Sequence, residues 1–187
     1  MQKYITTYRN DSTRLKNRDY GAPGNYFITI CTQNRENYFG HVEWATHGGT
    51  QNFASLHAAQ VQLTPIGKIA CQYWIEIPNH FPFVVLDEFV IMPNHIHGIL
   101  SINKSGYQDP KPNAFGPQSQ NVPSVVRGFK AATKKYATIN GIEFSWQPRY
   151  HERILRLDEL GSCRKYIQNN PKKWLTAADK INEQIKT

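Results

Sequence analysis

The chain has 187 residues and a mass of 21.5 kDa, with 40% hydrophobic residues and a mean hydropathy of −0.58; this suits one domain with its own core, and no apolar run approaches the roughly 18 residues of a membrane span. Residues 1–20 are polar and lack the apolar stretch of a signal peptide, so the expected location is the cytoplasm, and the three scattered cysteines, Cys31, Cys71 and Cys163, indicate neither a disulfide scaffold nor a zinc ribbon. The net charge of +8 is divided as +3 over residues 1–20, −2 over 21–120 and +7 over 121–187, and basic ends around a near-neutral middle suggest a polyanion such as nucleic acid, bound by surfaces from both termini.

In chain order, residues 25–33 (NYFITICTQ) are dense in β-branched and aromatic residues between turn signals and predict a strand. Residues 38–44 and 59–63 can pair as a hairpin across Gly48-Gly49. Thr64-Pro65 supplies an N-cap followed by proline, and Ile66, Ile69, Ala70, Tyr73, Trp74 and Ile77 at helical spacing predict an amphipathic helix ending at Pro78. The runs 83–91 and 95–102, separated by Met92-Pro93-Asn94, read as adjacent strands. Residues 105–123 are a Pro-rich loop. Ser124 is the expected cap of a helix to Ile139, with an apolar side and a basic side carrying Arg127, Lys130, Lys134 and Lys135. Residues 144–155 predict an edge strand interrupted by Pro148, and 158–169 a last helix ended by Pro171, with a tail at 175–187. The order implies a single α+β domain over 1–187: a ferredoxin-like, RRM-like antiparallel sheet with helices on one face.

Two groups of residues carry candidate chemistry. His95-Ile96-His97 lies on a strand, so both imidazoles share one face while Ile96 points to the core, and two such ligands on a rigid strand can chelate one divalent metal; hydrogen-bonded or surface histidines are the other reading. Tyr166 and Asn170 are four apart on the last helix and share a face. An Asn carbonyl can add a third ligand, and a neighbouring Tyr can attack a phosphate. The plainer alternative is a packed Tyr166 and an Asn170 that caps the helix before Pro171. Asp87 and Glu88 read as strand-end charges, with Glu88 a possible partner for an imidazole, and His151 as a residue that can reach the site across the sheet.

Taken together, MPNHIHGIL (92–100) and YIQNNPKKW (166–174) resemble the REP-associated tyrosine transposases, of the single-tyrosine HUH transposase family. The similarity extends over Arg14-Leu15-Lys16, YFITICTQNRENYFG, LTPIGKIA, VVLDEFVI, Gly128-Phe129-Lys130 and WQPRYHERILR. The resemblance implies the HUH motif on a central strand, a metal bound by His95, His97 and Asn170, and Tyr166 as a nucleophile on a facing helix. It also implies attack on single-stranded DNA near a hairpin, leaving a 5′-phosphotyrosine and a free 3′-hydroxyl. A phenol is mostly protonated at neutral pH, so catalysis must come from in-line placement and charge neutralisation. Imidazole and amide ligands suit Mn²⁺ as well as Mg²⁺.

Single-stranded or hairpin DNA is thus the expected partner, with no membrane and no small-molecule substrate, and both monomer and homodimer are open. Arg127, Lys130, Lys134, Arg149 and Arg153, with Lys165 and Lys172 flanking the tyrosine, are expected on phosphates, and the arm with Arg14, Lys16 and Arg18 on bases. Tyr20, Tyr150 and Trp146 can stack on unpaired bases, although Trp146 also reads as core. Two rival readings are a non-catalytic hairpin-binding protein on the same fold and a zinc hydrolase. The second lacks a third protein ligand with metal-site spacing.

Overall fold

A computed structural model describes residues 21–45, 59–107 and 119–185, with side chains as far as Ala177. The arm carrying Arg14, Lys16, Arg18 and Tyr20, the Gly48-Gly49 turn and most of the Pro-rich segment fall outside these residues. Strands β1 (Gly24–Cys31), β4 (Val84–Met92), β5 (His95–Ile102) and β6 (His151–Leu155) form one antiparallel sheet in the order β4-β5-β1-β6. β2 (Gly40–Trp44) and β3 (Ala59–Leu63) make the separate hairpin, with Val42 opposite Val61. Helix α1 (Pro65–Ile75), followed by the single turn α2 (Ile77–His80), connects the hairpin to β4, and α3 (Val122–Ile139) connects β5 to β6. This is the α+β order read from the sequence. Among the described residues no helix is long and apolar enough to cross a membrane.

Alternation along the strands sorts side chains into two layers. Tyr26, Ile28 and Ile30 of β1 and Ile96, Leu100 and Ile102 of β5 pack against Ile66, Ala70 and Trp74 of α1 and Val125, Val126 and Phe129 of α3. Trp74 lies directly beneath Gly98, where an added Cβ would meet the indole Cζ2 at 2.3 Å, so the residue after the second histidine must be small for α1 to seat. The helices α1 and α3 occupy one face, as expected. The opposite face receives α4 (Leu160–Gln168), whose buried Cys163 and Ile167 pack on Ile99 and Leu155, and α5 (Asn170–Ile185) follows after a break at Asn169.

Several boundaries differ from the sequence reading, each for a local reason. The cap of α3 is Asn121 rather than Ser124: the Asn121 side chain accepts from Ser124 N at 2.9 Å and Ser124 Oγ accepts from Asn121 N at 3.0 Å. This reciprocal pair satisfies two otherwise orphaned donors and puts Pro123 in the first turn, where it is tolerated. Pro78 and Pro171 likewise stand in the first turns of α2 and α5 rather than ending helices. Residues 144–150 are not strand. Pro148 removes a donor, Arg149 has φ +66°, and only an isolated bridge joins Thr32 to Trp146.

Candidate active site

Strand register determines what gathers on the α4 face. His97 lies opposite Thr29 of β1 and Val90 of β4, and on the other side of β1 Thr29 lies opposite His151 and Phe27 opposite Arg153. Residues paired across antiparallel strands point to the same side. His95 and His97, on the interior strand β5, therefore share a surface with Phe27, Thr29, His151 and Arg153. Both imidazoles are buried, each 7% exposed, with ring centroids 4.5 Å apart.

Their Nδ1 nitrogens are already engaged. The Asn94 amide donates from Nδ2 to Arg35 O at 3.0 Å, which turns its Oδ1 towards His95 Nδ1 at 2.8 Å. An oxygen there requires a proton on Nδ1 and leaves the lone pair on Nε2. His97 Nδ1 is 2.9 Å from Thr29 Oγ1, and the ring stacks on Phe27 with centroids 5.3 Å apart. Burial holds both rings neutral. It pushes His95 down to about 4, helped by the Arg35 charge and opposed by a hydrogen bond with the Asn170 side chain, and His97 down to about 3, with His95 and Arg35 adding to burial.

Asn170 is itself buried, at 8% exposure. Two neutral imidazoles beside the Asn170 amide form a donor set that fits a divalent ion, with positions left for water or phosphate oxygen. Among the described residues no third His, Cys, Asp or Glu joins them, which leaves a closed structural zinc site without its ligands.

Tyr166 faces this pair. Its ring is 5.4 Å from that of His97 and 6.0 Å from that of Phe27, with 40% of the residue still exposed. Cys163 and Ile167, on the buried side of α4, leave Tyr166 at the margin of the contact. The one-helix reading of Tyr166 and Asn170 is corrected: the backbone turns at Asn169, and Asn170 opens α5. The break still leaves Asn170 against His95.

Helix α4 is clasped by a bulge. The β4–β5 register shifts between Leu86 and Phe89, and the two residues inside the shift both reach α4. Asp87 accepts three hydrogen bonds from the Arg164 guanidinium, at 2.7, 2.9 and 3.1 Å, and Glu88 accepts from Gln168 at 2.8 Å. That guanidinium holds the Asp87 carboxyl below its usual range. Glu88 thus serves the tyrosine helix rather than an imidazole, and Arg164 is bound to a carboxylate.

The other expected nucleic-acid contacts are dispersed. Lys130 donates to the carbonyls of Gln147 and Arg149, at 2.7 and 3.1 Å, and Lys134 to that of Phe144 at 2.5 Å, so both tie down the irregular segment before β6. Trp146 packs against Phe39, Phe129 and Phe144 as a core residue. Arg153 lies on the site face, 3.3 Å from Cys163 Sγ and 3.5 Å from Glu159. Arg127 and Arg149 are exposed, as are Lys165 and Lys172 beside the tyrosine, and Lys173 Nζ lies 4.9 Å over the Tyr166 ring. Residues missed in the sequence are Phe27, Thr29, Asn94 and Trp174, the last 5.9 Å from the His95 ring. Asn94 adjoins the histidines in sequence, but the others needed the strand register and the turn between helices at Asn169.

No family model matches the chain. It is 39% identical over 178 residues to an uncharacterized protein of Haemophilus influenzae, covering 87% of this chain and 88% of that protein, and it belongs to the same family. Among solved structures, that of a REP-associated tyrosine transposase bound to a REP hairpin matches with a TM-score of 0.54 at 19% identity, over 87% of this chain and 73% of the other. The fold is transposase-like.

Proposed function

We propose that this family member is a metal-dependent single-stranded DNA endonuclease and strand transferase that cuts and rejoins DNA near hairpins through Tyr166. The observation that supports the reading most is the meeting of four groups from distant parts of the chain: Tyr166 beside His97, His97 beside His95, and Asn170 bonded to His95. A core tyrosine and a simple helix cap do not require that arrangement. His95, His97 and the Asn170 amide would hold Mg²⁺ or Mn²⁺, which when bound supplies charge neutralisation at a phosphate oxygen.

The rest of the chemistry belongs to the chain. The Tyr166 oxygen gives up its phenolic proton as it attacks phosphorus in line, the bond from phosphorus to the 3′ oxygen breaks, and one proton is taken up by that oxygen, so the products are a 5′-phosphotyrosine and a 3′-hydroxyl. Phe27 and the Asp87–Arg164 clasp hold the phenol and imidazole in their relative positions. The reverse attack by a 3′-hydroxyl restores the phosphodiester without an external energy source, because the bond is conserved in the adduct. The REP hairpin bound by the structural neighbour agrees with a hairpin substrate.

The test is incubation with labelled hairpin oligonucleotides, including the DNA flanking the gene, in Mn²⁺ or Mg²⁺. A covalent adduct on a denaturing gel, absent with Tyr166→Phe and with chelator, is the expected result. Binding across all DNAs without an adduct would instead favour a non-catalytic hairpin-binding protein.

A further inference from the structure

Beside the tyrosine, on the side away from His95, a cleft of about 520 Å³ opens between α4 and the edge strand β6. Its floor is Phe27, Thr29 and His97, its β6 wall carries His151 and Arg153, and Tyr166 stands at its mouth. Of the apolar residues that seat α4, Cys163 lines the cleft, whereas Ile167, Ile99 and Leu155 do not. The cleft is thus a gap left between the helix and the sheet edge that shares Phe27, His97 and Tyr166 with the site, while its β6 wall takes no part in the chemistry described above.

Resting on the proposed function, we infer that this cleft receives the base of one unpaired nucleotide next to the scissile phosphate. The size suits a single nucleotide and falls in the ordinary range of ligand clefts, about 300–1,000 Å³. The surfaces are those a base uses. The Phe27 ring is already stacked on His97 on one side, and the His151 imidazole stands exposed on the neighbouring strand, two positions from Arg153 and on the same face. Flat aromatic and guanidinium groups bind any base through its face, and the positive charge of Arg153 favours the attached backbone. Arg153 is held in place by Glu159 and Cys163, so it meets the strand with little freedom left to lose.

Position gives the cleft its consequence. A guest seated there adjoins the Tyr166 phenol, so its phosphate is delivered to the nucleophile, and an unpaired base is the one whose ring face is free for such a seat. The cleft thereby selects single-stranded DNA at the cut and fixes which phosphodiester is attacked.

The test couples the DNA to the cleft. Abasic nucleotides are placed one at a time across the cut site of a cleavable hairpin oligonucleotide, and binding and adduct yield are measured for wild type, His151→Ala and Ser162→Phe. Ser162 is an exposed residue on the α4 rim of the cleft, and a phenyl group there fills the space without touching the core. In wild type, one abasic position next to the cut is expected to weaken binding by about tenfold, as for loss of a stacked base. In both variants that penalty shrinks to less than about twofold, because the base no longer has its seat. Adduct formation with the same penalty at every position in wild type and variants would overturn the inference and leave the proposed function standing. Failure of wild type to form an adduct on any DNA would overturn the proposed function itself and this inference with it.

Discussion

Asn94 shows how much of this site depends on single atoms. Its amide nitrogen bonded to Arg35 fixes its oxygen on His95, and that oxygen decides which imidazole nitrogen is free. Burial has a second consequence, for stability. In the unfolded chain each imidazole takes a proton near pH 6.5, whereas in the metal-free fold His95 resists protonation to about 4 and His97 to about 3. The unfolded state therefore binds more protons across that interval, so stability is full above pH 6.5 and falls as the pH drops towards 4, by up to about 1.4 kcal/mol per pH unit for each ring. Urea denaturation in chelator from pH 7 to pH 5 should show this slope, and His97→Gln should flatten it. At Gly98 the effect is steric. Gly98→Ala drives a Cβ into Trp74, an overpacking that should cost about 1–3 kcal/mol, read from the urea midpoint at pH 7.

Among elements, α4 matters most because it carries Tyr166, the proposed nucleophile, and is held at both ends of one turn. The bulge in β4 turns Asp87 and Glu88 to the same side, and they grip Arg164 and Gln168, which bracket Tyr166 in sequence. Asp87→Ala should lower the rate of adduct formation by about ten- to a hundredfold through misplacement of the phenol, while oligonucleotide affinity changes little. The exchange Asp87→Arg with Arg164→Asp should recover much of the rate, a rescue that loss of general stability does not produce. An equal fall in binding and rate, with no rescue, would make the clasp a packing feature only. Helix α3 gives the opposite lesson: Lys130 and Lys134 read as a phosphate-binding face, yet both are used to hold residues 144–149.

For the whole molecule, basic ends around a near-neutral middle point to a polyanion. With the excess of basic residues in 121–187, DNA affinity should fall linearly with the logarithm of salt concentration. Arg127→Ala should reduce that slope by about one if the arginine neutralises a phosphate. Titration of a fluorescent hairpin at several salt concentrations measures both, and an unchanged slope would place Arg127 outside the DNA path.

The sequence by itself determined the α+β order, the pairing of two imidazoles on one face of a strand, and the chemical types at positions 95, 97, 166 and 170. Those are properties of local period and residue identity, which a short window of chain contains. Only the tertiary structure decided that Thr29 and Phe27 lie beside His97, that a bulge turns Asp87 onto Arg164, and that the helix breaks at Asn169 while Asn170 still reaches His95. Register, bulges and the approach of α4 to the sheet depend on partners some 70 residues away in the chain, and no local pattern encodes such a distance.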